Sequence, residues 1–347
     1  MMRYIISFAA TSLVAALPAW AEVPRVVTDI HPVHSLVAQV MGDLGTPELL
    51  LERGANEHDF QLRPSQAAGL EAADLVVWIG PELTPWLARA LDGVGSGAAQ
   101  LSLLAAEGTE TRAFSADGAH RHGAEDDAHE EHGHEDHGHD EQGHGGHEDA
   151  GQADAAHGED THDGHGAEEG HAHEGTDPHA WLDPHNAKVW LQAIAAELGR
   201  IDPGNAATYA ANAAAAALRV DAVDAELAAT LAAVKGRPLV VYHDAYGYFA
   251  AHYGLDIFGS VALGDATAPG AARLASLRDG MAAGGAVCLF PEAQHDDGLI
   301  QTLAETPGTR IGAALDPNGS LQEPGPAAWE GMMRALAAAL AGCATAG

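Results

Sequence analysis

Fourteen of the chain's 22 histidines lie between His120 and His173, and eight are scattered elsewhere: His31, His34, His58, His179, His185, His243, His252 and His295. Three of the eight share a context. His58 closes the loop sequence ERGANEH that starts at Glu52, behind a short apolar run. His179 stands in Asp177-Pro178-His179-Ala180-Trp181 ahead of a helical pattern, and His243 directly follows the apolar run PLVVY at Pro238–Tyr242. If those runs are parallel strands, residues just past their carboxyl ends face the crevice where open α/β sheets bind ligands. Imidazole ligates zinc, copper, nickel and iron, whereas magnesium and calcium favour oxygen. Singly, each ring is an ordinary polar group near a strand end; as a trio they read as one shared transition-metal site. His31 reads as a polar residue at a helix entry. His34, His185, His252 and His295 read as surface or supporting residues, and Trp78, Trp86, Trp181 and Trp190 as core.

The elements that must position the trio alternate. RVVTDI at Arg25–Ile30 reads as a strand, followed by a helix opened by Pro32. Glu48–Leu51 reads as a strand, Pro64–Ala73 as a helix, and the near-continuously apolar DLVVWI at Asp74–Ile79 as a buried parallel strand. A helix over Glu82–Leu91 and a weak strand near Gln100–Leu104 follow. Trp181–Leu198 reads as a helix ended by Gly199, and Asn205–Val234 as one alanine-rich helix about 45 Å long, the alternative being two helices broken near Asp221. A second alternating set begins at Pro238. Its strands are Pro238–Tyr242, Asp256–Ser260, Ala286–Phe290 and Thr309–Leu315, and it ends in a helix over Pro326–Ala341. The fold class expected is α/β, two lobes with parallel sheets joined by a long linker helix. The expected organisation is a signal peptide over 1–21, a first lobe over 22–203, a linker helix over 204–235 and a second lobe over 236–347.

Composition narrows the setting. Arg3, the apolar run Tyr4–Leu17 and Ala19-Trp20-Ala21 form a secretory signal, too short to span a bilayer, so export to a periplasmic compartment is expected. The formal net charge is −34, and the stretch Asp117–Asp177 alone holds 20 acidic residues against one basic, Arg121. Such acidity argues against nucleic-acid partners. The region 115–176, nearly all His, Asp, Glu, Gly and Ala, has no apolar periodicity and reads as a disordered loop able to hold several metal ions weakly, or as a solvated linker. Cys288 and Cys343 cannot build a four-sulfur zinc site; in an oxidising compartment they can form one disulfide, the alternative being two buried thiols.

The segments GANEHDFQLRPSQ, ADLVVWIGPEL, DPHAWLDPHNA and YHDAYGYFAAHYGL, in that order, resemble the zinc-specific substrate-binding proteins of bacterial ABC importers, the ZnuA type. The resemblance covers nearly the whole chain after the signal, including the His-rich insertion and both cysteines. It implies zinc as the transported ligand, His58, His179 and His243 as its ligands, a membrane permease and its ATPase as partners, and contact with the membrane only through that permease. Manganese-binding relatives carry a carboxylate where this chain has His243. Some relatives supply an acidic fourth ligand just past a Leu-Asp/Asn-Pro segment; here that position is Gly319, which leaves Glu57, water or Asp316. The resemblance implies no catalysis and a monomer. The competing readings are a periplasmic zinc buffer or chaperone, and a zinc hydrolase with Glu57 as base.

Overall fold

In a computed structural model the described residues are 22–58, 60–94, 97–115, 175–263, 269–283 and 288–345. The expected signal peptide and nearly all of the His-rich stretch lie outside them. The two central strands of the first sheet are apolar or β-branched and buried on both faces, as parallel strands demand, while its edge strands are partly exposed. Strand β1 (Val26–Thr28) leads into helix α1 (His31–Met41), whose proline sits in the first turn and whose eleven residues are all buried. Strand β2 (Glu48–Leu49), helix α2 (Pro64–Glu71), β3 (Leu75–Trp78), α3 (Pro85–Val94) and β4 (Ala99–Ser102) complete a four-stranded parallel sheet of order β2-β1-β3-β4.

The expected helix at Trp181 is split in two. A 3-10 turn at Ala180–Leu182 precedes α4 (Pro184–Ile201), because Asp183 leaves helical geometry and caps α4, its side chain accepting a hydrogen bond from the His185 amide at 2.8 Å. Gly199 does not end α4 but lies inside it. A side chain there would meet Ala206 Cβ at 3.1 Å, so the glycine permits close contact with the start of the next helix. That helix, α5 (Ala206–Leu231), is unbroken at Asp221 and spans about 39 Å. It leads to the second sheet, formed by β5 (Pro238–His243), β6 (Asp256–Ala262), β7 (Cys288–Leu289) and β8 (Arg310–Ile311) in the parallel order β6-β5-β7-β8. Helices α6 (Gly247–Tyr253), α7 (Ala271–Ala282), α8 (Gly298–Leu303) and α9 (Ala328–Thr345) belong to this half of the chain.

The two lobes share one hydrophobic core. It runs from Val26, Ile30 and Leu36 through Trp181, Trp190 and Val220 to Phe249, Phe290 and Trp329, and α9 packs on both α5 and α1. Ser35 Oγ donates to the Pro326 carbonyl and accepts from the Trp329 amide, while Trp329 Nε1 donates to the Trp181 carbonyl. Separate apolar clusters lie under α2 and α3, around Trp86 and Leu87, and under α7 and α8, around Leu277 and Ile300. A disulfide joins Cys288 on β7 to Cys343 on α9. Among the described residues no helix is long and apolar enough to cross a membrane.

His252 on α6 ties this framework together. Its Nδ1 lies 3.2 Å from Asp183 Oδ1, at the start of α4, and its Nε2 lies 2.8 Å from Asp224 Oδ1 on α5. The hydrogen bond to Asp183 leads, with Asp224 adding to it against the effect of burial, in raising the imidazole above its ordinary 6.5. The folded state therefore binds the extra proton more tightly. The stabilisation is complete below pH 6.5 and is lost as pH rises through the folded value. His252→Gln should lower the urea midpoint most at about pH 6 and least at about pH 9, a convergence that denaturation at the two pH values will measure.

Candidate metal centre

His58 reaches the cleft on the loop after β2. Gly54 there adopts φ +73°, a left-handed conformation that turns the chain, and Asn56 Oδ1 accepts from the His58 amide at 2.7 Å. Trp86 Nε1 donates to the Glu57 carbonyl at 2.8 Å and pins the loop from below. His179 precedes the 3-10 turn, and its backbone amide and ring Nδ1 lie 2.9 and 2.7 Å from Asp177 Oδ1. His243 is the last residue of β5, with Nδ1 2.6 Å from Glu292 Oε2; the other oxygen of that carboxylate accepts from the Tyr246 hydroxyl at 2.8 Å.

A carboxylate beside Nδ1 fixes the proton there and leaves Nε2 with its lone pair, the form that ligates a metal. Both rings therefore offer Nε2. His58, His179 and His243 each present a ring nitrogen, and these nitrogens lie within 4.8 Å of one another. The rings are 5.7 Å apart for His58 and His179 and 5.3 Å for His179 and His243. His179 and His243 are each only 2% exposed. Such a set can hold a divalent transition metal with one coordination position left for a further ligand.

Glu57 is not part of that group. It is buried, and its Oε2 accepts from Asn318 Nδ2 of the second lobe at 2.6 Å. Asp316 is occupied in a turn, accepting from the Ser320 amide and hydroxyl and the Leu321 amide. Gly319 has φ +71°, so that position serves the turn. His31 opens α1 as expected but is buried there, and His34, read as a surface or supporting residue, is buried too. His34 Nε2 lies 3.2 Å from the Pro47 carbonyl, and burial pushes His31 down to about 4. His185 is exposed. His295 stacks on Tyr242 at 4.3 Å.

Sequence reasoning missed Glu292, Asp177 and Asn318 as supports. Glu292 was open to the rule that found His243, since both follow apolar strands and β5 pairs directly with β7. Asp177 lies two residues before His179, the spacing of a side chain that bonds a nearby amide. Nothing local marked Asn318.

Comparison with known proteins follows this geometry. The family model described as zinc-uptake complex component A, periplasmic (ZnuA) matches residues 26–343. A high-affinity zinc uptake system protein ZnuA from Paracoccus denitrificans is 51% identical over 329 residues, covering 95% of this chain and 94% of that protein. The protein of that name from Brucella abortus is 39% identical over 321 residues, covering 92% and 91%. The match is thus to whole proteins rather than to one shared lobe. Among solved structures, a crystal structure of ZnuA has a TM-score of 0.67 at 20% identity, covering 93% of this chain and all of that one. The manganese complex of FpvC from Pseudomonas aeruginosa has a TM-score of 0.68 at 19% identity, covering 92% and 97%. At such identities these two likenesses speak for the fold alone.

The Glu57–Asn318 contact generates a test of how the loop is held. Asn318→Ala leaves a buried carboxylate without this donor and should destabilise the metal-free protein by about 1–3 kcal/mol in urea denaturation.

Proposed function

Because this chain belongs to the ZnuA family of periplasmic zinc-uptake components, we propose that it binds zinc through His58, His179 and His243 and delivers the ion to a membrane permease driven by an ATPase. The observation that carries this reading is the meeting of three ring nitrogens from distant parts of the chain, two of them turned by buried carboxylates. Three nitrogens suit zinc better than manganese, which favours carboxylate, carbonyl and water oxygens. A water molecule completes the four-coordinate set, since Glu57 and Asp316 are engaged by Asn318 and by the 316–321 turn.

In this reading the protein captures and releases its cargo without chemical turnover. Asp177 and Glu292 hold the Nδ1 protons and aim Nε2 at the ion. The surrounding protein keeps competing water away from it. The hydrolase alternative requires Glu57 as a free base on metal-bound water, and its hydrogen bond to Asn318 favours the carrier reading. Residues 1–21 act as the export signal, and the functional division is a lobe over 22–203, a linker over 204–235 and a lobe over 236–347. The His-rich stretch gathers zinc for the tight site; the described residues that flank it meet where Ala113 bridges Thr176 and the Asp177 amide donates to the Arg112 carbonyl.

Calorimetric zinc titration tests the assignment. Each of His58→Ala, His179→Ala and His243→Ala should weaken the tight site by more than about 100-fold, beyond the 10- to 100-fold expected for an outer hydrogen-bond partner. Glu292→Gln should fall within that smaller range. Affinity in the wild type should drop with acidity, because protonated imidazoles cannot ligate. Wild-type affinity in the triple histidine variant would exclude this site.

A further inference from the structure

His295 and Glu292 leave a question that the main site does not absorb. Besides the three-histidine group, a ring nitrogen of His243, a carboxylate oxygen of Glu292 and a ring nitrogen of His295 also lie within 4.8 Å of one another. We propose that these three residues form a second cation subsite that adjoins the main one and shares His243 with it. The inference rests on the reading of His243 as a zinc ligand and adds a second position for the same ion.

The two donor separations that involve Glu292 are close to what a late first-row divalent cation needs, and the His243 and His295 nitrogens lie within 4.8 Å of each other. Glu292 Oε2 lies 2.6 Å from His243 Nδ1 and 3.7 Å from His295 Nε2. Tetrahedral zinc with ligands near 2.0–2.1 Å sets neighbouring donors about 3.4 Å apart. The first contact must therefore widen by less than about 1 Å, and the second must close by about 0.3 Å. His295 is 16% exposed at its side chain and its ring is stacked on Tyr242 at 4.3 Å and 18°. The stack sets the plane of the imidazole while leaving one edge accessible. Two nitrogens and a carboxylate oxygen, completed by water, make a donor set of the kind zinc takes in proteins.

What separates this subsite from the main one is its origin. All three donors come from the second lobe: His243 from the end of β5, Glu292 and His295 from the segment after β7, the strand paired with β5. The main site needs His58, carried by a loop of the first lobe. An ion on the second subsite therefore remains ligated when that loop withdraws. The two positions are alternatives. While His243 Nε2 faces the main site, Glu292 Oε2 accepts the Nδ1 hydrogen bond, and an ion bound between those two atoms would occupy the same space. The second lobe can thus keep the ion during loading or delivery, when contacts from the first lobe are absent.

The test uses the full-length protein, zinc alone as the probe and a chromophoric chelator as competitor. The variants are His58→Ala, His295→Ala and the double variant; the histidine-rich stretch is present in all, so its binding cancels in the differences. His58→Ala should retain a residual zinc site that weakens at least tenfold in the double variant, while His295→Ala alone keeps the tight site within about threefold of the wild type. Identical isotherms for His58→Ala and the double variant would overturn the proposal. So would a tenfold loss in His295→Ala alone, which would mean that His295 merely supports His243. His295→Gln, which preserves much of the ring's volume, must reproduce the alanine result, so that misfolding cannot stand in for ligand loss. If His58→Ala binds zinc as the wild type does, the main-site reading fails instead, and the two failures are distinct.

Discussion

Carboxylate-to-imidazole hydrogen bonds are the constraint on which the site depends. A histidine ring can rotate and can carry its proton on either nitrogen, so three nearby rings do not by themselves make a metal site. Asp177 beside His179 and Glu292 beside His243 remove that freedom, because each carboxylate accepts at Nδ1 and turns Nε2 towards the cleft. Both carboxylates are buried, and each has a second donor that compensates its lost hydration: the His179 amide for Asp177 and the Tyr246 hydroxyl for Glu292. The fold must then bring β5 and β7 side by side and set the 3-10 turn at Ala180 over the cleft. It does the second by burying Trp181, whose indole donates to the Pro317 carbonyl.

The two lobes are distinct as sheets but continuous as a core. Helices α1, α4, α5 and α9 pack between them, and the Ser35, Trp181 and Trp329 contacts lock α9 into both halves. Wholesale hinge opening would expose part of that shared apolar surface, at about 25 cal/mol per Å². The loop carrying His58 is held differently. Arg53 donates to the Ser320 and Leu321 carbonyls and pairs with Glu323, and Glu57 accepts from Asn318. These are polar contacts, and water can replace those at Arg53, which is half exposed. Movement of this loop costs less than movement of a lobe, so His58 is the imidazole of the trio most easily withdrawn.

Under the proposed zinc assignment, that asymmetry gives the second lobe a larger part in handling the ion than three equivalent ligands would suggest. His243, Glu292 and His295 are set by adjoining strand ends and by stacking on Tyr242, whereas His58 depends on a bent loop. A carrier must hold its cargo tightly and still give it up. In the proposed site, His58 on a bent loop, with His179 at a buried 3-10 turn and His243 at a strand end, reconciles the two demands without large rearrangement.

Much of this was legible in the residues. Continuous apolar runs such as LVVW and PLVVY announced buried parallel strands. The proline- and glycine-free run after Asn205 announced one long helix, and the three histidines that the fold brings together each stand beside a strand or helix that the residues announced. Periodicity and strand-end chemistry are local properties, so the sequence carries them. It could not tell that Gly199 lies inside a helix, since the reason is the approach of Ala206, nor that Glu57 faces Asn318 across 261 positions. The burial of His31 and His34 was hidden because α1 is covered on every side by elements distant in the chain. Which nitrogen each imidazole offers, and that Glu292 stands between His243 and His295, were decided only by tertiary structure: hydrogen bonds and ligand sets depend on separations of a few ångströms between residues that only the packed sheets and helices bring together.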